Sequence, residues 1–151
     1  PLQCFSEGFF AQRERLLAAK ELDHPRFRYA HQFAEADAIV IAAPFWDLAF
    51  PALLKVYIEN VSVEGITFGC NASGCFGICR AERMLFLTTR GGSYDGAPDE
   101  MGARYLEALC GFFGIPRFDC VAADGLDLGL RPVKEILAEA KAKAAALAAA
   151  L

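Results

Sequence analysis

The chain has 151 residues, 55% of them hydrophobic and 23% charged, with a formal net charge of -4. That length suits one domain with a substantial core, and the composition is that of a globular protein. The acidic balance argues against a general nucleic-acid binder, and no apolar stretch approaches the ~20 residues of a membrane helix. The opening Pro1-Leu-Gln-Cys-Phe-Ser-Glu7 has neither the charged region nor the long apolar core of a signal peptide. It also has no initiator Met, and we expect further sequence upstream. Six cysteines without a dense, regular framework fit a cytoplasmic protein better than a small secreted one. Cys110 and Cys120 lie in apolar surroundings and read as reduced core thiols.

Phe9 to Leu22 reads as an amphipathic helix with Arg13, Glu14, Arg15 and Lys20 on its wet side, and Pro25 interrupts it. A second helical piece runs from about Arg26 to Glu35. His24 and His31 fall in this region without a catalytic partner in the sequence and read as surface residues. Ala38 to Ala43 is an unbroken apolar run rich in β-branched residues. It predicts a parallel strand buried on both faces. Pro44 ends the strand, and Pro51 stands where the next helix begins. Leu54, Tyr57, Ile58 and Val61 then share one helical face.

Gly65 breaks the pattern. Ile66 to Cys70 and Cys75 to Cys79 flank Asn71-Ala-Ser-Gly74, as a hairpin or an irregular excursion. Met84 to Thr89 predicts a second buried strand, with Arg90-Gly91-Gly92-Ser93 directly after it. Pro98 or Asp99 opens a helix whose stripe is Met101, Tyr105, Leu109 and Phe112. Gly114 caps it and Pro116 prevents its continuation. Arg117 to Ala123 reads as a third strand. Gly125 and Gly129 sit in a loop, and Pro132 starts a closing helix whose inner face is Ile136, Ala140, Ala144, Leu147 and Leu151. Alternating helices and strands predict a parallel sheet with helices on both faces. Three strands make a narrow sheet and leave Ala38 to Ala43 as an exposed edge, a liability. We therefore expect an N-terminal βαβ unit to be missing from residues 1–151, which otherwise form a single domain.

Two loops follow two buried strands: Pro44-Phe45-Trp46-Asp47-Leu48 and Thr89-Arg90-Gly91-Gly92-Ser93. Both should open on the carboxyl edge of the sheet, where α/β folds bind ligands. Gly91 and Gly92 let a backbone approach a ligand, and the aromatics of the first loop can cover a planar heterocycle such as a flavin. An ordinary tight turn explains Gly91-Gly92 equally well. Trp46 also fits a core position, and Arg90 fits a salt-bridged loop residue as well as one facing an acceptor or a cofactor phosphate. Cys70, Cys75 and Cys79 place three thiols within ten positions. Zinc or iron–sulfur ligation is one reading, but the Cys-x2-Cys spacing and a fourth ligand are missing, and reduced thiols are the plainer one.

Taken together, Ala38-Ile-Val-Ile-Ala-Ala-Pro44 with its aromatic loop, Pro51 to Val61, Gly65-Ile-Thr-Phe68, Thr89-Arg-Gly-Gly92 and Tyr105 through Ile115 resemble the FMN-dependent NAD(P)H:quinone oxidoreductases and azoreductases of the flavodoxin-like fold. The resemblance covers most of residues 37–128. It implies a doubly wound α/β parallel sheet. Pro44, Phe45, Trp46, Asp47 and Leu48 would form the first flavin loop, and Thr89, Arg90, Gly91 and Gly92 the second. Tyr94, Phe112 and Cys70 would border the acceptor pocket. It further implies FMN as cofactor, NADH or NADPH as donor, ping-pong hydride transfer through flavin N5 to quinone, azo or nitroaromatic acceptors, no acid or base from the protein, and a homodimer. Two departures stand out: Asp47 replaces the family's usual Asn, and no counterpart of the phosphate-binding loop occurs. The alternative is a non-catalytic flavodoxin-like binding domain, with Cys70, Cys75 and Cys79 holding a metal.

Overall fold

The computed structural model describes Cys4 and residues 6–149. Helix α1 (Glu7–Ala18) starts at Ser6, whose hydroxyl accepts from the Phe9 amide, and ends four residues before the expected Leu22. A single 3-10 turn, Pro25–Phe27, follows, with His24 Nδ1 accepting from the Arg26 amide. Helix α2 (Arg28–Glu35) then leads into strand β1 (Ile39–Ala42). Helix α3 (Ala52–Val61) takes Pro51 as its N-cap residue. Strands β2 (Phe68–Asn71) and β3 (Gly74–Gly77) form a separate antiparallel hairpin. Strand β4 (Met84–Thr89), helix α4 (Met101–Phe113), strand β5 (Phe118–Ala123) and helix α5 (Val133–Ala148) complete the order.

The main sheet has the order β1-β4-β5 and is parallel throughout, with Ile41 opposite Phe86 and Phe86 opposite Cys120. Its larger core joins Ile39 and Ile41 of β1, Met84 and Phe86 of β4, Phe33 of α2, Ile58 and Val61 of α3, and Leu106, Cys110 and Phe113 of α4. A second cluster of Leu16, Phe27, Ala30, Val63 and Ile66 seats α1. Helix α5 covers the opposite face through Ile136, and an apolar cavity of about 350 Å³ remains between that helix and Ala42, Leu87 and Val121.

Two expectations are corrected by packing. Strand β1 is not buried on both faces: Ile39 and Ile41 are buried, whereas Val40 is 54% exposed and Ala42 is exposed. Among the described residues β1 pairs only with β4, and α5 reaches this face only across the cavity at Ala42 and leaves Val40 open, so the apolar run alternates as an edge strand does. In α4 the buried stripe is Gly102, Leu106, Cys110 and Phe113, one step round from Met101, Tyr105, Leu109 and Phe112. Both sets have helical spacing on a helix apolar over a wide arc, and contact with Met84 and Phe86 selects the first. In the closing helix Ile136 is buried and Ala140, Ala144 and Leu147 half-buried as expected, while Leu151 lies outside the described residues.

Gly114 caps α4 in the left-handed region at φ 78°. Gly77 meets it from the hairpin: a Cβ there would lie 1.8 Å from the Phe113 carbonyl carbon. Backbone cannot yield as a side chain can, so Gly77→Ala should destabilise the fold by about 1–3 kcal/mol. Gly111, in the same helix, has nothing within 4 Å of a Cβ. Gly111→Ala should instead add about 0.5–1 kcal/mol. Urea unfolding midpoints moving in opposite directions are the expected result.

Candidate functional site

Strands β1 and β4 run parallel, so their following loops emerge side by side at the carboxyl edge. The Phe45 amide donates to the Thr89 carbonyl at 3.0 Å, which carries the pairing one step into both loops. The rings of Phe45 and Tyr94 lie 4.5 Å apart, and the Arg90 guanidinium sits 5.5 Å from the centre of the Phe45 ring. In the first loop Asp47 (φ 49°) and Leu48 (φ 65°) both adopt the left-handed conformation. Such non-glycine backbone costs of order 1–3 kcal/mol per residue and is concentrated at ligand sites. The Ala49 amide donates to the Trp46 carbonyl, and the Met101 amide at the start of α4 donates to the Leu48 carbonyl, holding that turn.

The second loop is held from below. Arg90 is 4% exposed, with Nη2 3.0 Å from Glu100 Oε1 and Nη1 3.6 Å from Asp124 Oδ1. Glu100 also caps α4 by accepting from the Ala103 amide, and Asp124 accepts from the Tyr94 amide. The loop after β5 donates three amides to this segment: Leu126 to Arg90 O, Asp127 to Gly91 O and Gly125 to Gly92 O. A Cβ on Gly91 would fall 2.3 Å from Asp127 Oδ2, so glycine there makes room for that clasp. Arg90 is therefore the salt-bridged loop residue of the two readings, its guanidinium turned into the protein. A cavity of about 460 Å³ lies behind it, lined by Glu100, Cys120, Asp124 and Lys143, away from the aromatic loop.

The outer surface of the two loops suits a flat, polar-edged ring. Trp46 (60% exposed) and Leu48 (43%) present large apolar groups to solvent, so Trp46 is no core residue. Pro44, Asp47 and Thr89 are exposed, and Phe45, Gly91, Gly92 and Tyr94 half-buried. Among the described residues, no acceptor takes the amide protons of Trp46, Asp47, Leu48, Gly91 or Gly92. Donors of this kind fit the carbonyl and ring-nitrogen edge of an isoalloxazine, and the exposed apolar groups fit its body.

The remaining candidates lie elsewhere. Phe112 is at the far end of α4, its ring 4.7 Å from Phe68 of the hairpin. Cys70 and Cys75 are joined in a disulfide, which removes both from the metal reading and from the reading as reduced thiols. Cys79, Cys110 and Cys120 are free. His31 Nε2 lies 2.9 Å from the Leu22 carbonyl, and His24 serves the 3-10 turn, so both histidines are structural. The sequence reading missed Glu100, Asp124 and Asp127. Asp99-Glu100 at a helix start and Asp124-Gly125 after a strand were the available signals, but only the fold brings them to Arg90.

A family model described as a flavodoxin-like fold matches residues 2–148. The chain belongs to the flavodoxin-like family. It is 48% identical over 121 residues to an FMN-dependent NADH:quinone oxidoreductase 2 of Clostridium perfringens, covering 80% of this chain and 61% of that protein. It is 47% identical over 118 residues to a counterpart in Clostridium acetobutylicum, covering 76% and 59%. The chain thus spans about three-fifths of the length of the curated relatives it matches. An azoreductase of Bacillus anthracis superposes with a TM-score of 0.86 at 25% identity, over 100% of this chain and 77% of that one.

The buried ion cluster makes a direct prediction. Arg90→Met leaves the buried Glu100 carboxylate, and the half-buried Asp124, beside an apolar side chain and should cost about 3 kcal/mol. Adding Glu100→Gln should recover part of that loss. Denaturant unfolding of the two single variants and the double variant measures the coupling.

Proposed function

We propose that this chain carries the flavin-ring site of an FMN-dependent NADH:quinone oxidoreductase that also reduces azo and nitroaromatic acceptors. The observation that carries the reading is the pair of interlocked loops at adjacent parallel strand ends, with exposed Trp46 and Leu48 and uncommitted amides at 46–48 and 91–92. The identity to the clostridial NADH:quinone oxidoreductases and the likeness to an azoreductase support it. In this reading residues 1–151 are one domain, working in the cytoplasm as a homodimer. Among the described residues no helix is long and apolar enough to cross a membrane.

FMN, when bound, supplies the hydride chemistry at N5, taking from NADH and giving to the acceptor in ping-pong order. The protein's contribution is position and field. Phe45, Trp46 and Leu48 seat the ring's apolar body and keep water from it. The amides of Gly91 and Gly92 donate to its polar edge, where negative charge grows on reduction. Thr89 and Pro44 hold the two loops to their strands. Arg90 serves through its backbone, its side chain being committed to Glu100 and Asp124. Tyr94, beside Phe45, borders the face on which donor and acceptor alternate. Phe112 and the hairpin residue Cys70 complete the acceptor pocket from the partner subunit. Asp47 brings a carboxylate where a neutral amide would donate, and it opposes charge on the reduced ring.

Purified protein should bind FMN, quench its fluorescence, and oxidise NADH in the presence of a menadione-like acceptor. Trp46→Ala should weaken FMN binding about tenfold, the equivalent of ~1.4 kcal/mol. Asp47→Asn should raise the flavin midpoint potential by on the order of 20–30 mV, about 1 kcal/mol for two electrons. Protein that neither binds FMN nor oxidises NADH with any quinone would rule the reading out.

A further inference from the structure

The β2–β3 hairpin is anchored at its base and free at its tip. At the base, the Ile78 amide donates to the Thr67 carbonyl and the Cys79 amide to the Phe113 carbonyl. Phe68 stacks on Phe112, and Gly77 packs against the end of α4. Thr67 is fully buried, its hydroxyl donating to the Val61 carbonyl and accepting from the Val63 amide. Residues 70–76, by contrast, are all exposed. Among the described residues β2 and β3 form a two-stranded sheet whose one other bridge, Phe68 to Glu64, lies at its base, and a two-stranded ribbon is marginal in water. The tip is closed by the last ladder pairs, Cys70 with Cys75 and Asn71 with Gly74, by the covalent bond between the two cysteines, and by the Ser73 amide donating to Asn71 Oδ1 inside the turn.

We propose that Cys70–Cys75 is a reversible thiol–disulfide exchange site for small monothiols, and that its reduction opens the hairpin tip while the base stays docked. An incoming thiolate attacks one Sγ, the S–S bond breaks, and a mixed disulfide forms while the other sulfur leaves and takes a proton. A second thiol displaces the first cysteine. Two electrons pass from two small thiols to the protein, giving two cysteine thiols and one small-molecule disulfide. The reverse reaction uses that disulfide as oxidant. Both cysteines are exposed in the single chain, and Cys70, which borders the acceptor pocket in the proposed dimer, stays open there to molecules small enough to enter it. The hairpin's third cysteine does not compete. Cys79 is half-buried, its thiol donates to the Thr67 carbonyl at 3.4 Å, and burial pushes it up to about 11. Disulfides exposed to thiol-rich surroundings are commonly transient and redox-sensing, and a six-residue ring at the tip of a ribbon is placed to act so.

The test combines alkylation with hydrogen exchange on the purified protein, at pH 8, after equilibration with glutathione or glutathione disulfide. In the oxidised form iodoacetamide should label Cys4, which is exposed, and spare Cys70 and Cys75. After millimolar glutathione both should be labelled, and glutathione disulfide should restore protection. Amides of residues 69–76 should exchange about tenfold faster in the reduced form, with those of 77–79 unchanged, as local opening requires. The double variant Cys70→Ser/Cys75→Ser should show the fast exchange under both conditions. Labelling of Cys70 and Cys75 in the oxidised form, no labelling after glutathione, or tip exchange equal in the two forms would overturn the proposal.

Discussion

Arg90 lies at the end of β4 with almost no contact with water, and its charge is balanced by Glu100 from the start of α4 and Asp124 from the end of β5. An unpaired guanidinium at that depth would be costly, so three elements must close on it together. The consequence reaches outward. With the side chain turned in, the Arg90 to Gly92 backbone is turned up, its carbonyls held by the amides of Gly125, Leu126 and Asp127. Its own amides at 91 and 92 have no acceptor among the described residues. The ion cluster is thus what makes a glycine-rich turn into a fixed donor surface.

The first loop depends on the second. Phe45 is pinned between the Thr89 carbonyl, the Tyr94 ring and the Arg90 guanidinium, and only then can Asp47 and Leu48 hold left-handed backbone. That geometry throws Trp46 and Leu48 outward, where large apolar groups are out of place unless something covers them. A flavin ring is the occupant we propose for the apolar faces and the row of donors. The match to NADH:quinone oxidoreductases extends over about three-fifths of their length.

The hairpin belongs to a different mechanical unit. Among the described residues it joins the domain through its base, at Thr67, Phe68, Gly77 and the end of α4, and it carries a disulfide at its exposed tip.

The sequence alone determined the element order and which loops share the carboxyl edge of the sheet, because both follow from local rules. Apolar runs at 38–43 and 84–89 make strands, prolines at 44, 51, 116 and 132 mark boundaries, and glycine at 114 ends a helix. A parallel sheet then puts the loops at 44–48 and 89–93 together without further information. The tertiary structure decided which of two equally spaced stripes of α4 is buried, since periodicity sets an angle and not a partner. It decided that Val40 faces outward, since burial depends on what lies opposite. It joined Cys70 to Cys75, because their pairing rests on hairpin register across a two-residue turn. And it turned Arg90 inward, since Glu100 and Asp124 lie 10 and 34 positions away in the chain and meet it only when β4, β5 and α4 pack.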